Sequence, residues 1–131
     1  MAAAFSSEPN MSIIDRVALD SLVEMFGDDD MEAVIDLLDT FLSESLKQTQ
    51  AMKTSFDSGD IQTLHRMAHS LKSSSATFGA ARLSVACARL EQAAKAQCDG
   101  GTCGELLAVV IGEQQQAAAL LSDERTRLAG A

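Results

Sequence analysis

Aromatic side chains are scarce in this chain of 131 residues, which has five Phe and neither Trp nor Tyr. It therefore offers no platform on which nucleic-acid bases could stack. Positive charge is scarce too: 10 Lys and Arg stand against 19 Asp and Glu, a formal net charge of −9. A surface of that sign repels phosphate backbones and anionic headgroups, so nucleic acid and membrane surfaces are poor candidates for partners. No apolar run approaches the roughly 18 residues of a bilayer span, and membrane insertion is not expected. Residues 1–10 hold neither a basic n-region nor an apolar h-region, so they are not read as a secretory signal. The single proline, Pro9, precedes every patterned segment, and nothing after it is barred from a helix by a missing N–H. Cysteine is limited to Cys87, Cys98 and Cys103, with no CxxC pair. This odd set reads as reduced thiols in a cytoplasmic protein, with a Cys98–Cys103 disulfide across the intervening turn as the alternative.

What is present favours helix. Hydrophobic residues make up 47% of the chain, led by Ala, Leu and Met, which are strong helix formers. A chain of this size buries roughly two-thirds of its unfolded surface, enough for one domain without metals or disulfides.

Five segments separate at clear punctuation. The first begins at Ser12, placed to cap the helix with Asp15 three residues on. Its apolar stripe is Ile14, Val17, Ala18, Leu22 and Met25, and Gly27 ends it. Asp28, Asp29 and Asp30 set negative charge at the start of a second helix over 30–57, where the macrodipole favours it. Val34, Leu37, Leu38, Phe41, Ser45, Met52 and Phe56 line one side, Leu42 and Leu46 widen it, and Ser58-Gly59 stops it. Asp60 caps a third helix over 61–77, with Leu64, Ala68, Leu71, Ser75 and Phe78 inward and Gly79 as C-cap. A fourth, over 81–97, buries Leu83, Cys87, Leu90 and Ala94. The fifth, over 103–127, carries Leu106, Val110, Ala117, Leu120 and Leu121, with a weak point at Gly112. Strand signals are absent. Short connections between long amphipathic helices predict an all-α, antiparallel four-helix bundle with an additional N-terminal helix. The domain is placed at 12–128, behind a flexible tail over 1–11.

The third helix carries the chemistry. With Leu64, Ala68 and Leu71 facing the core, His65, His69, Lys72 and Ser73 fall together on a wetter face, at spacings of −4, +3 and +4 from His69. An imidazole keeps a neutral, nucleophilic population at physiological pH. A Lys ammonium three residues on can reach phosphoryl oxygens, and charge-assisted hydrogen bonds of that kind contribute roughly 1.5–3 kcal/mol. The run Ser73-Ser74-Ser75 keeps side chains small beside the ring, leaving room for another protein to close over it.

Read from Ala68 to Ala80, the segment AHSLKSSSATFGA resembles the signature of histidine-containing phosphotransfer (HPt) domains, roughly AHxLKG(S/A)(S/A)xx, a hydrophobic residue, then GA. Gly59-Asp60 before this helix and Cys87-Ala88-Arg89-Leu90-Glu91 after it are also similar to the family pattern, and a looser likeness extends over 14–125. One departure is Ser73, where the family often has Gly; it stays small, so partner access is expected to survive with slower transfer. The position at which some members hold a Gln near the phosphohistidine falls at Glu91 or Gln92.

The resemblance implies a phosphorelay intermediate in the cytoplasm. His69 is the implied phospho-acceptor and Lys72 its charge partner, with His65, Ser73 and Gly79 in support. The implied partners are response-regulator receiver domains and a hybrid sensor histidine kinase, and the chain is expected to act as a monomer. It would have no kinase activity and no cofactor or metal of its own, with Mg²⁺ supplied by the receiver.

Plainer readings exist for several positions. Lys72 can be a surface charge, His65 a bystander, Ser75 a small residue at a helix crossing, and Gly79 a C-cap under any function. Two other classes compete with the relay: a non-catalytic adaptor of the same fold, and a metal enzyme built on the His65/His69 pair, for which no third ligand is evident.

Overall fold

The computed structural model describes residues 12–26, 30–96 and 100–130. They form α1 (Arg16–Phe26), α2 (Met31–Asp57), α3 (Ile61–Thr77), α4 (Ala81–Lys95) and α5 (Gly100–Gly130), with no strand among the described residues. The tail over 1–11, Gly27, the first two aspartates of the acidic run and Cys98 lie outside the described residues.

Local chemistry sets the ends of these helices. Asp30 and Asp60 are the N-caps of α2 and α3, and each carboxylate accepts from the backbone N–H three residues on, Ala33 and Thr63, at 3.1 Å. α2 and α3 finish in the same way. Gly59 and Gly79 take left-handed φ values of 77° and 75°. Asp60 N–H then reaches Ser55 O and Ala80 N–H reaches Ser75 O, both at 2.8 Å. Gly59 and Gly79 donate to Phe56 O and Ala76 O at 3.1 Å. This pair of bonds is the Schellman motif, which satisfies carbonyls that the helix itself leaves open.

Packing then closes the bundle. α3 lies between α2 and α4, α5 packs on α2 and α4, and α1 crosses α2 and α3. The four long helices form a ring of antiparallel neighbours with α1 as an added cover. The inward stripes expected for α3 and α4 are all buried: Leu64, Ala68, Leu71, Ser75 and Phe78 on one, Leu83, Cys87, Leu90 and Ala94 on the other. Phe41 of α2 stacks on Phe78 with ring centroids 4.7 Å apart. Two polar pairs inside the bundle link neighbouring helices. Gln114 donates to Ser45 Oγ at 3.1 Å, and Arg82 to Glu113 at 3.0 Å.

Several expectations are corrected. α1 starts at Arg16 and its cap is Asp15, not Ser12. The Asp15 carboxylate accepts from the backbone of Val17 and Ala18 at 3.0 and 3.3 Å, and its own N–H is anchored on Gly79 O at 2.6 Å. That start turns the helix so that Leu19 and Leu22 are buried, while Val17 and Met25 are 76% and 77% exposed. Leu46 and Leu120 also face outward, because the buried stripes of α2 and α5 are narrower than their apolar residues. α4 ends at Lys95 rather than 97. α5 runs past both expected ends, and Gly112 does not interrupt it. Cys87 is a buried free thiol, and burial in the apolar core pushes it up to about 12. Cys103 is disulfide-bonded, which corrects the expectation of free thiols there.

Gly79 is where the end of α3 meets the start of α1. A Cβ there would sit 2.7 Å from Asp15 O and 3.2 Å from Leu19 N, whereas one at Gly59 would meet nothing within 4 Å. Gly59→Ala is therefore expected to cost only the left-handed penalty, about 1–2 kcal/mol. Gly79→Ala should cost roughly 1–3 kcal/mol more, because α1 must shift. Urea denaturation of the two variants measures the difference, and equal losses would contradict it.

α1 is also tied to α5. The Arg16 guanidinium donates to both oxygens of Glu124, at 3.1 and 2.7 Å, and Arg127 reaches the same carboxylate. These bonds hold the Glu124 carboxyl from the ordinary 4.5 down to about 2. A carboxyl lowered by folding stabilises fully above its unfolded value and loses that stabilisation as pH falls through its folded value. Glu124→Gln should thus lower the urea midpoint at pH 7, and the gap from wild type should close between about pH 4.5 and 2. A gap that does not depend on pH would contradict this.

Candidate functional site

The site is made by the contact of α3 with α4. Ala68 and Leu71 face α4 across the core, which leaves His65, His69 and Lys72 along the seam where the two helices meet solvent. Ser84 Oγ of α4 donates to Lys72 O at 3.0 Å and pins the two helices there. One turn beyond Cys87, on the same side of α4, Glu91 reaches the seam.

Glu91 joins the site together. Its Oε2 lies 2.6 Å from His69 Nδ1 and 3.9 Å from His65 Nε2, and its Oε1 accepts from Lys72 Nζ at 2.6 Å. The carboxylate is 12% exposed, Lys72 and His65 are 33% exposed, and His69 is 61% exposed. The Lys72 hydrogen bond is the chief reason that the Glu91 carboxyl lies below its ordinary value. Partial burial opposes it, and the bond to His69 adds to it. An ionised carboxylate can only accept, so Nδ1 of His69 must carry the proton. In the neutral ring the lone pair is then on Nε2. A carboxylate fixing the tautomer while the other nitrogen stays open is an arrangement suited to nucleophilic attack.

Lys72 has three donors, and Glu91 occupies one. The others can meet an anion delivered to Nε2. Beside the ring lies an open depression of about 410 Å³, lined by His65, Arg66, His69, Glu91, Gln92 and Lys95. Ser73 is exposed one turn after His69, with its Oγ turned back to His69 O at 3.5 Å, so the rim stays low on that side.

Of the residues singled out from the sequence, His65, His69 and Lys72 gather around Glu91, and Ser73 borders them. Gly79 is not brought to the site. It lies ten residues along, about 15 Å at helical rise, and positions α1 instead. Glu91 is the residue that sequence reasoning left unresolved against Gln92. Its signal was the likeness of residues 87–91 to the family pattern, which left the position near the phosphohistidine at either Glu91 or Gln92. Among the described residues no group of three His, Cys, Asp or Glu side chains is arranged to hold a metal ion, so the metal-enzyme alternative gains no ligand set there. No helix among them is long and apolar enough to cross a membrane.

An antiparallel helical bundle that presents an exposed imidazole, joined to an ammonium through one shared carboxylate, is a build suited to handing on a group while docked to another protein. The model of the Hpt domain family matches residues 36–129, and the chain belongs to that family of phosphorelay histidine-phosphotransfer domains. Among solved structures, it is similar to histidine-containing phosphotransfer protein B of Pseudomonas aeruginosa. The identity is 29% and the TM-score 0.79, over 90% of this chain and 98% of that one. A putative histidine-containing phosphotransfer protein from rice shares the fold at 16% identity and TM-score 0.74, over 90% of this chain and 85% of its own. One from maize does so at 21% and 0.66, over 86% of each chain. A comparison with curated proteins finds no match.

The tautomer assignment is open to direct measurement. Long-range ¹H–¹⁵N spectra of the neutral His69 ring should show Nδ1 protonated in the wild type. Glu91→Ala should lose that preference with helix content unchanged. Protonation at Nε2 in the wild type would overturn the assignment.

Proposed function

We propose that this chain is a phosphorelay intermediate whose phospho-acceptor is Nε2 of His69. The observation that carries this reading is the exposed ring held through Nδ1 by Glu91, with the Lys72 ammonium on the same carboxylate. The donor is the aspartyl phosphate of a receiver domain. The Nε2 lone pair attacks phosphorus in line, the P–O bond to the aspartyl carboxylate breaks, and that carboxylate leaves with the electron pair. No proton need move: the ring becomes an Nε2-phospho-imidazolium that keeps Nδ1–H against the Glu91 carboxylate. Lys72 offsets charge on the phosphoryl oxygens, and Mg²⁺ is supplied by the receiver. Transfer to a second receiver aspartate reverses these steps.

The chain itself contributes position and one nucleophile, which suits a reaction governed by alignment and electrostatics, and it needs no kinase activity. We place it as a monomer in the cytoplasm, between a hybrid sensor histidine kinase and response-regulator receivers. His65 tunes the site from the edge through its distance to Glu91, and Ser73 keeps the approach open.

Incubation with a phosphorylated receiver of the source organism tests this. Label on the chain should be acid-labile and base-stable, vanish in His69→Gln, and survive in His65→Gln. Lys72→Ala should slow transfer about 10- to 100-fold, the worth of a charge-assisted hydrogen bond of roughly 1.5–3 kcal/mol. No label from any receiver of that organism would favour the non-catalytic adaptor.

A further inference from the structure

Cations are few in this chain, and nearly all of them are committed within the fold. Each described Lys or Arg other than Arg66 and Lys95 either forms a salt bridge with a carboxylate or, in the case of Arg89, is otherwise engaged. Arg66 donates to the neutral Thr63 hydroxyl at 3.1 Å, and Lys95 forms no salt bridge among the described residues. Both are exposed, and both border the depression that holds His69, one on each helix of the seam. Lys95 also lies in the last turn of α4, where the helix dipole favours a cation. The dipole gives no reason for it to lack a carboxylate partner on a surface where acidic residues are nearly twice as common.

A body carrying −9 repels an incoming phosphorylated carboxyl, itself close to dianionic at neutral pH. At about 0.1 M salt that repulsion is screened beyond roughly 10 Å, so the charges at the rim of the site decide the final approach. Resting on the relay reading above, we propose that Arg66 and Lys95 are a steering pair. They draw the aspartyl phosphate of a receiver protein onto His69 and raise the rate of productive encounter, without taking part in the transfer step. Charges at the rim of an interface act on association rate and salt dependence, whereas groups at its buried centre act on the bound complex.

Rapid-quench transfer from a receiver domain of the source organism, charged with acetyl phosphate, separates the two effects. The second-order constant, read at low receiver concentration, should fall about tenfold in Arg66→Gln/Lys95→Gln at roughly 20 mM salt, and the deficit should shrink to about twofold or less near 0.5 M. The first-order rate at saturating receiver should stay within about twofold of wild type, and the charge-preserving Arg66→Lys/Lys95→Arg should recover most of the loss, because steering reads charge rather than donor geometry. Urea midpoints of both variants, matched to wild type, show that the fold is intact. An unchanged second-order constant at low salt overturns the proposal, as does a deficit that persists at high salt or appears in the first-order step. If the wild type takes no label while the receiver is demonstrably phosphorylated, the relay reading fails and this inference goes with it.

Discussion

The Glu91 carboxylate is the point on which the site depends. It accepts from Lys72 with one oxygen and meets His69 Nδ1 with the other. Both contacts cross from α4 to α3, so they exist only while the core between these helices holds them in register. The arrangement is self-supporting, because the ammonium that holds the Glu91 carboxyl below its ordinary value is the same group that, in the proposed relay, faces the phosphoryl oxygens. A ring fixed in one tautomer and one orientation needs no reorganisation when a partner docks, which is how a small protein contributes to a reaction whose barrier is mostly positional.

The rest of the fold keeps that seam still while leaving it accessible. Repeated Schellman ends at Gly59 and Gly79 turn the chain sharply, so that α2, α3 and α4 stand beside one another with little connecting backbone. α1 then covers one end of the ring, docked on Gly79 and clasped by Arg16 to Glu124 of α5. Neither feature touches the imidazole. Their effect is to fix α3 at its ends, through α1 and the turns at Gly59 and Gly79, so that the mid-helix position of His69 inherits a rigid frame.

Charge is divided in the same spirit. Most of the surface is acidic and its cations are spent on internal pairs, while the seam between α3 and α4 concentrates imidazole, ammonium and guanidinium groups. The protein thus repels anions in general, and the steering proposed above rests on this one small region of the opposite sign.

Sequence alone specified five helices, both limits of α3, the end of α2, the start of α4, and the buried stripes of α3 and α4. These follow from local rules: the 3.6-residue period, Asp caps, and glycines able to take positive φ. It also placed His65, His69, Lys72 and Ser73 on one face, since that requires only spacing along one helix. Tertiary structure decided what local rules cannot reach. α1 was read one turn too early, with Val17 and Met25 inward instead of Leu19, because its start is set by Asp15 meeting Gly79, more than sixty residues away in the chain. The residue of α4 that stands near His69 was left open between Glu91 and Gln92 for the same reason. Neighbouring residues on a helix point about 100° apart, and which of them meets α3 depends on how two whole surfaces pack, a quantity that no spacing within either helix contains.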